Sequence, residues 1–261
     1  MSLIKSIGGK KVNFDFNKDF ITIFSDKIKS SDIKFINQTL KDLHPSDVAN
    51  LIENLSVETR AKLIEIEEFN VDPEIFIEIN ESIQTEVLQL LSDESIAKIL
   101  RRLESDNAIS ILENLDSAKK NSVLDKLPPK DRFLLEEGLS YPEDSAARIM
   151  QREFTAVPSN WSVGQTIDYL RESKDLPDEF LEIFIVDNDF KPIGTVPSSR
   201  VLRTSRETKM NSLMREMPVL ISVNMDKEEV GHAFENYNLI SAGVVNKNNK
   251  LVGMITADDV V

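Results

Sequence analysis

Carboxylates are the side chains whose number and placement could do chemistry in this chain. Its 261 residues include 45 Asp and Glu against 31 Lys and Arg, which gives a formal net charge of −14. Residues 43–143 alone carry 22 acidic and 10 basic side chains. An acidic surface of this kind concentrates cations and repels nucleic acid and anionic lipid. The composition therefore predicts a protein that binds cations or small ligands and has no nucleic-acid partner.

The chain lacks the residues that most other kinds of catalytic or metal site require. The chain has no Cys, which excludes disulfides, thiolate metal sites, Cys nucleophiles and iron–sulfur clusters. Its two histidines, His44 and His232, lie far apart in sequence, so a His-rich transition-metal site is not expected. We find no Ser–His–Asp set, P-loop or Gly-x-Gly-x-x-Gly motif, and we predict that the protein is not an enzyme. No apolar run approaches the roughly 18–20 residues that span a bilayer.

The acidic middle of the chain is built from a repeat of twelve residues, which predicts short stacked helices. A period of twelve allows a helix of about eight or nine residues, too short to be stable alone, so the helices must pack on one another. The sequence thus predicts a helical-repeat domain over residues 35–138, with residues 1–34 unassigned. The leucines that recur in it are Leu43 and Leu55, and then Leu91, Leu103, Leu115, Leu127 and Leu139. The residues expected to cap or begin its helices are Ser46, Ser56, Ser92, Ser105, Ser117 and Pro128 with Pro129.

From Tyr141 onward, strand-like and helix-like segments alternate. The order helix–strand–helix–strand–strand occurs twice, and polar hairpin signals at 187–191 and 246–250 separate paired strands. The sequence therefore predicts two successive α/β domains, over 139–202 and 203–261. The segments of the two copies are strands at 154–158, 180–187 and 191–197 around a helix at 162–173, and then strands at 219–223, 239–246 and 250–256 around a helix at 226–237, with a short helix at 208–216.

The end of the second copy carries a motif with a known resemblance. Residues 253–259 read Gly-Met-Ile-Thr-Ala-Asp-Asp, a pattern similar to the one that closes a CBS (cystathionine β-synthase) motif. Short acidic helical repeats, then Tyr-Pro-Glu-Asp-Ser-Ala-Ala-Arg-Ile-Met at 141–150, then two CBS units, together resemble the cytosolic region of the MgtE family of magnesium transporters over residues 35–261. The resemblance implies a multidomain α and α+β fold: a superhelical repeat domain of short helices followed by a tandem CBS (Bateman) pair.

The family resemblance also implies a setting for the chain. It places the protein at the cytoplasmic face of the cell membrane, as a homodimer through its CBS units, with the transmembrane domain of a full-length transporter as partner. In that family a connecting helix should begin near Val261, so we expect a piece of a longer transporter in preference to a stand-alone relative. Apolar helix faces in the CBS units would support the dimer: Val163, Ile167 and Leu170 in the first, and Val230, Ala233 and Phe234 in the second.

Five carboxylates are the candidate metal ligands. Asp259 follows the last strand, at a turn where a carboxylate can reach a ligand. The resemblance implies that Asp259 helps to hold Mg²⁺, opposite Asp106 at the start of a late repeat, while Ser110 stands where a further acid would complete that pair. The other three candidates are Asp258, Glu228 and Glu229, of which the two glutamates open the helix predicted at 226–237.

An adenine nucleotide is the second ligand that the CBS resemblance brings into question. In the first copy, Arg200 stands where the resemblance would place a ribose-binding Asp. An Arg could meet a phosphate, but the ribose contact would be lost, so the sequence argues against a nucleotide in that half.

The leading interpretation is a Mg²⁺-sensing regulatory module. Carboxylates on the helical domain and on the CBS pair repel one another when Mg²⁺ is scarce, and bound ions bridge them and favour a compact state. Two alternatives remain open at this point. One is a stand-alone CBS protein that senses adenine nucleotides; the other is an interaction scaffold, because the short helical repeats also resemble those of flagellar motor switch proteins.

Overall fold

The computed structural model describes residues 18–67, 72–177 and 179–260. They form two compact units, one of residues up to Leu103 together with Ser110–Arg132, and the other of Glu104–Ile109 together with the chain from Phe133 onward. In the described ranges, no helix is both long enough and apolar enough to cross a membrane.

The first unit is made of short helices, as the repeat predicts. Helices α7 to α10, which correspond to the repeats from Leu91 onward, are only 8 to 11 residues long. Helices α8 and α10 cross the division between the two units. The helices are α1 (Lys18–Lys29), α2 (Ile33–Asp42), α3 (Pro45–Glu53), α4 (Val57–Glu67), α5 (Ile75–Glu78), α6 (Glu81–Leu90), α7 (Asp93–Leu100), α8 (Ser105–Glu113), α9 (Ser117–Leu124) and α10 (Pro129–Leu139).

Side-chain caps define several of these helix starts, although not always the predicted ones. Ser92 caps α7 by accepting a hydrogen bond from the backbone amide of Ser95 at 3.1 Å, as expected. Helix α9 is capped by Asp116 and not by Ser117, because the carboxylate accepts from two free amides, each at 2.9 Å. The His44 ring accepts from an amide at the start of α3 at 3.3 Å, so this histidine caps a helix.

Leucines of the repeat supply the core between these helices. Leu91, Leu115 and Leu127 are 4 to 6% exposed, while Leu103 and Leu139 are partly buried. A leucine at each of these repeat boundaries is therefore fully or partly buried, and such burial is the stabilisation that helices of this length need.

Helix α1 begins the helical unit earlier than the repeat suggested. Phe24 and Ile28 are fully buried, and the ring of Phe20 stacks on that of Phe24 with centroids 6.3 Å apart. The apolar spacing of these residues, four apart, is typical of a helix, so the described residues before 35 carry a helical signal of their own. The described part of the N-terminal segment, from Lys18, thus belongs to the helical unit.

An ion pair between a buried arginine and a partly exposed glutamate joins α4 to α6. Arg60 is 7% exposed and donates to both carboxylate oxygens of Glu86, at 2.9 and 2.7 Å. Its remaining guanidinium nitrogen donates to the backbone carbonyl of Leu55 at 2.6 Å. The arginine thereby satisfies a carbonyl between α3 and α4 that no helical amide reaches.

The second unit holds two small mixed sheets with the same topology. Their strand orders are β1-β2-β3 and β4-β5-β6, with the first pair of each sheet parallel and the second antiparallel. We call residues 156–202 the first α/β repeat and residues 221–260 the second. The elements are β1 (Ala156–Pro158), α11 (Val163–Glu172), β2 (Glu182–Val186), β3 (Pro192–Pro197), α12 (Ser198–Leu202), α13 (Met210–Leu213), β4 (Ile221–Ser222), α14 (Lys227–Tyr237), β5 (Ser241–Val245) and β6 (Leu251–Thr256), with 3₁₀ turns at Ala146–Arg148 and Asp258–Val260.

The segment that precedes each α/β repeat in sequence packs on the other repeat. Ala146, Ala147 and Met150 lie in the core of the second repeat, against Ile221 and its neighbours. Met210, which precedes the second repeat, lies in the core of the first. The two repeats are therefore interlocked through the segments that connect them.

Two glycines admit these connecting segments to the sheets. The backbone of Gln151 exchanges two hydrogen bonds with Met254 in β6, at 2.7 and 2.9 Å. A Cβ atom on Gly253 would lie 2.8 Å from the Gln151 carbonyl oxygen, which is closer than real Cβ contacts. In the first repeat, a Cβ on Gly194 would lie 2.7 Å from the carbonyl oxygen of Arg215. A side chain at either position would push the connecting segment off the strand.

The apolar helix faces expected to form a dimer are covered only in part by their own repeats. Val163, Val230 and Phe234 are buried in the cores of their own repeats. Ile167 and Leu170 are partly buried against the first of these cores, and Ala233 against the second. Each helix thus uses most of its apolar face to cover its own sheet and leaves Ile167, Leu170 and Ala233 partly exposed, and the dimer through these faces stays a prediction.

Candidate metal site

Asp259 lies in the turn that follows β6, where the sequence placed it. Its Oδ2 accepts hydrogen bonds from the backbone amide of Thr256 at 2.7 Å and from the Thr256 hydroxyl at 2.9 Å. Its Oδ1 accepts from the side-chain amide of Gln151 at 3.2 Å. Both oxygens are thus fixed, and burial raises the pKa of Asp259 above its usual value.

Asp106 lies in the first turn of α8 and belongs to the same compact unit. It is only 8% exposed, and its Oδ1 is buried without a hydrogen-bond partner among the described residues. Burial raises the pKa of Asp106 to about 7, and the negative charges of Asp259 and Glu104 add to this effect. The amide of Asn107 offsets part of the rise. Asp106 and Asp259 therefore share a setting in which two full negative charges are costly.

Gln151, Glu104 and Glu153 also belong to this cluster, and the sequence alone did not predict them as site residues. Gln151, 3% exposed, donates from one amide nitrogen to Glu104 at 3.1 Å and to Asp259 at 3.2 Å. Glu153 accepts from the hydroxyl of Ser105 at 2.9 Å and from its backbone amide at 3.1 Å. Ser105 was expected to cap α8, but its hydroxyl is engaged in this long-range contact instead. Glu104 stands among the repeat's acids and could have been found; nothing local singles out Gln151.

The other three candidate ligands are exposed to solvent. Asp258 is exposed and accepts from the Thr256 hydroxyl at 2.6 Å. Glu228 and Glu229 are exposed in the first turn of α14, which Asp226 caps. The charges that act on one another bring together Asp106 and Asp259, with Glu104 and Asp258 as neighbouring acids.

This arrangement is not a closed metal cage. Within residues 18–67, 72–177 and 179–260, no group of three or more His, Cys, Asp or Glu side chains is placed to hold a metal ion. Mg²⁺ is nevertheless commonly bound by one or two carboxylates while it keeps several waters. The unpaired, buried oxygen of Asp106 and the fixed carboxylate of Asp259 are the two groups that could ligate such an ion.

Arg200 stands where the family resemblance would place a ribose-binding Asp. It lies in α12, directly after β3, as expected. Its guanidinium donates to the backbone carbonyl of Leu213 at 3.0 Å, so part of its hydrogen-bonding capacity holds the connecting segment. The rest of the side chain lines a cavity together with Arg203 and Arg215.

Comparison with family models divides the chain into parts like those seen in the structure. Residues 43–144 match the model of the MgtE intracellular N domain. Residues 146–207 and 210–261 each match the model of the CBS domain.

Similar proteins and structures point the same way. The chain is 27% identical over 135 residues to the magnesium transporter MgtE of Thermus thermophilus, which is 52% of this chain and 30% of that protein. It is 25% identical over 123 residues to the magnesium transporter MgtE of Bacillus subtilis, 47% of this chain and 27% of that protein. The fold matches the crystal structure of the cytosolic domain of the Mg²⁺ channel MgtE in complex with ATP with a TM-score of 0.83 at 24% identity, covering 92% of this chain and 98% of that one. The aligned part thus spans less than a third of the length of the curated relatives.

Proposed function

Since the chain belongs to the MgtE family, of which it carries the intracellular N domain and the CBS pair, we propose that it is the Mg²⁺-sensing regulatory region of a magnesium transporter. In this proposal it lies at the cytoplasmic face of the membrane and acts on the transmembrane domain of the whole protein. The predicted fold class, helical repeats followed by a CBS pair, is confirmed by the two mixed sheets and the short helices.

The observation that carries the proposal is the unsatisfied carboxylate oxygen of Asp106. A buried oxygen without a donor is costly, and a neighbouring negative charge at Asp259 makes ionisation of Asp106 more costly still. A proton can relieve this cost, and so can a divalent cation. The pair is therefore a place where Mg²⁺ competes with a proton for the same charge.

Ion binding at this pair would hold the start of α8 against the end of β6. Without a cation, and with both groups ionised, Asp106 and Asp259 repel each other and favour separation of these two segments. A bound Mg²⁺ attracts both carboxylates and so replaces their repulsion with attraction. The population of the bridged state then rises with the difference between the ion's affinity for that state and its affinity for the separated state. In the whole transporter, the position of α8 would then report the Mg²⁺ concentration to the pore.

Thermal stability tests the proposal directly. Melting temperatures would be measured in MgCl₂ and in NaCl of equal ionic strength, since both salts screen the acidic surface but only the divalent ion bridges two carboxylates. An ion that binds only the closed state stabilises it by about 2.7 kcal/mol at a hundredfold excess over Kd. We expect a clear additional rise in MgCl₂; coincident melting curves would contradict the proposal.

Substitution of single carboxylates tests where the ion binds. Asp106→Asn and Asp259→Asn should each shrink the Mg²⁺-specific rise, and the double variant should lose less than the sum of the two because both ligate one ion. Glu81→Gln is the matched control, since it removes one exposed acid from the first turn of α6 in the same acidic segment. A full Mg²⁺ response in either aspartate variant, or an equal loss in the control, would place sensing elsewhere.

Adenine-nucleotide binding is the second candidate, favoured by one cavity and one structural neighbour. A cavity of about 220 Å³ lies between the two α/β repeats, lined among others by Phe184, Val219 and Ile240. The similar cytosolic domain of MgtE was solved with ATP. Titration with adenosine tests the cavity apart from any phosphate contact; absence of binding at millimolar adenosine would remove the support that the cavity gives.

A homodimer remains a prediction from the family resemblance. Exposed apolar side chains support it, such as Leu202, which is 77% accessible, and Leu181, which is 67% accessible. Sedimentation at micromolar concentration checks this, and a monomer there would contradict it.

A further inference from the structure

A single side-chain amide links two carboxylates that come from distant parts of the chain. Nε2 of Gln151 donates to Glu104, which directly precedes α8, at 3.1 Å, and to Oδ1 of Asp259, which follows β6, at 3.2 Å. A primary amide nitrogen carries two hydrogens, so one hydrogen is available for each carboxylate. The amide thus bridges the start of α8 and the end of β6, the two segments that a cation would also join.

This bridge is a fixed part of the fold. Gln151 is only 3% exposed, so its amide lies inside the protein. Its backbone exchanges two hydrogen bonds with Met254 in β6, at 2.7 and 2.9 Å. The residue is therefore held both by the strand and by the two carboxylates, unlike a surface side chain that could turn away into solvent.

The bridge carries no charge. Among the described residues, Asp259 accepts hydrogen bonds from Gln151 and from the backbone amide and hydroxyl of Thr256, all of which are uncharged donors. The guanidinium of Arg152, the next residue along, lies 3.1 Å from Glu137 instead. A neutral donor offsets part of the repulsion between two carboxylates without cancelling their charge. The cluster therefore keeps a negative charge that a cation can still neutralise.

The equivalent position in the first α/β repeat carries a cationic side chain. Arg215 forms the isolated bridge with Thr195 that Gln151 forms with Met254. The backbone at this position thus accepts either a guanidinium or an amide. A cation at position 151 would pair with the acids permanently, whereas glutamine holds them in place and leaves their charge available.

We propose that Gln151 sets how strongly the acidic cluster depends on a divalent cation, because its amide supplies part of the bridging without neutralising the carboxylates. This inference rests on the proposed function, since the cation is the one that Asp106 and Asp259 would hold. Gln151 is a positioning residue that acts through Glu104 and Asp259. A negative side chain at position 151 makes the cluster depend more on the ion, and a positive side chain makes it depend less.

A charge series at position 151 tests the proposal. Melting temperatures of the unchanged chain, Gln151→Glu and Gln151→Lys are measured in EDTA with NaCl and in MgCl₂, at equal ionic strength and about pH 8, where carboxylates are ionised. The difference between the two salts is the Mg²⁺-specific rise. Gln89→Glu and Gln89→Lys are the matched controls, because Gln89 is exposed on α6 in the same acidic segment.

In EDTA, Gln151→Glu should melt at least about 2 °C below the unchanged chain, because a donor to two carboxylates becomes a further negative charge. Its Mg²⁺-specific rise should exceed that of the unchanged chain by about 2 °C or more, since the added carboxylate is relieved by the ion. Gln151→Lys should keep less than half of the rise, and both Gln89 variants should keep all of it.

Two results would overturn the proposal while leaving the proposed function intact. One is a Mg²⁺-specific rise in Gln151→Glu that is no larger than in the unchanged chain; the other is a full rise in Gln151→Lys. Absence of a Mg²⁺-specific rise in the unchanged chain would instead contradict the proposed function, and the role of Gln151 would fall with it.

Gln151→Met provides a test that adds no charge, in case either charged variant fails to fold. Methionine has nearly the same length as glutamine and no hydrogen-bond donor. In EDTA, Gln151→Met should lower the melting temperature of the unchanged chain by more than it lowers that of Asp259→Asn, because the amide acts through that carboxylate. Equal losses in the two backgrounds would show that Gln151 only fills space, which is incompatible with the proposal.

Discussion

Replacing Asp106 by Asn should stabilise the protein in a strongly pH-dependent way. Burial raises the pKa of Asp106 from its ordinary 3.8 to about 7. A group whose pKa is higher in the folded protein than in the unfolded chain contributes stability that is fully present below the unfolded value and is lost as the pH rises through the folded value. The loss therefore accumulates between about pH 4 and pH 7.

The size of the effect follows from the shift. One pKa unit corresponds to 1.36 kcal/mol, so a rise of about three units gives an upper limit of roughly 4 kcal/mol above pH 7. An Asn side chain remains neutral at every pH and has nearly the shape of the protonated acid. The advantage of Asp106→Asn should be near zero below about pH 4, and larger by about 2 to 3 kcal/mol at pH 8 than at pH 5.

Urea unfolding of the unchanged chain and of Asp106→Asn at these two pH values measures this difference in Mg²⁺-free buffer. Glu81→Gln again serves as the control, because Glu81 is an exposed acid at the start of a helix and its removal should give no such gain. Titrating groups far from Asp106 act on both proteins alike and cancel in the comparison, whereas the coupling of Asp106 to Asp259 and Glu104 is part of the measured difference. A difference between Asp106→Asn and the unchanged chain that is independent of pH, or a variant less stable at pH 8, would refute the reasoning.

Three further predictions concern the packing that supports the sites. Gly253→Ala should lower the melting temperature by several degrees because its Cβ would lie 2.8 Å from a backbone carbonyl oxygen, whereas Gly231→Ala in α14, with open space around it, should be neutral or stabilise by up to about 1 kcal/mol. Arg60→Ala should cost about 1–3 kcal/mol in urea unfolding, because the buried Leu55 carbonyl loses its donor and the partly exposed Glu86 loses its ion pair; a cost below about 0.5 kcal/mol would contradict this. Ser105→Ala should cost about 1–3 kcal/mol by removing a donor to a carboxylate, and an unchanged urea midpoint would show that this contact is weak.

The family and the order of domains could be predicted from local features of the chain. Repeat spacing, caps and strand alternation act over a dozen residues or fewer, so they can be recognised before any tertiary contact is known. The short helices α7 to α10 and the two identical strand orders confirm those predictions. Where caps were misjudged, at Ser105 and Ser117, a neighbouring carboxylate or a distant partner competed for the same hydrogen bonds.

By itself, the sequence determined the excess of carboxylates, the absence of thiol chemistry, the repeat of the helices and the doubling of the α/β fold. The tertiary structure alone decided which charges meet. Gln151 reaches Asp259 from 108 residues away, Asp106 is buried beside that same carboxylate, and Arg215 comes to Arg200 only because Gly194 lets a connecting segment approach its strand. Side-chain charge is a local property of the chain, but the free energy of a charge depends on its burial and its neighbours, and those are properties of the packed fold.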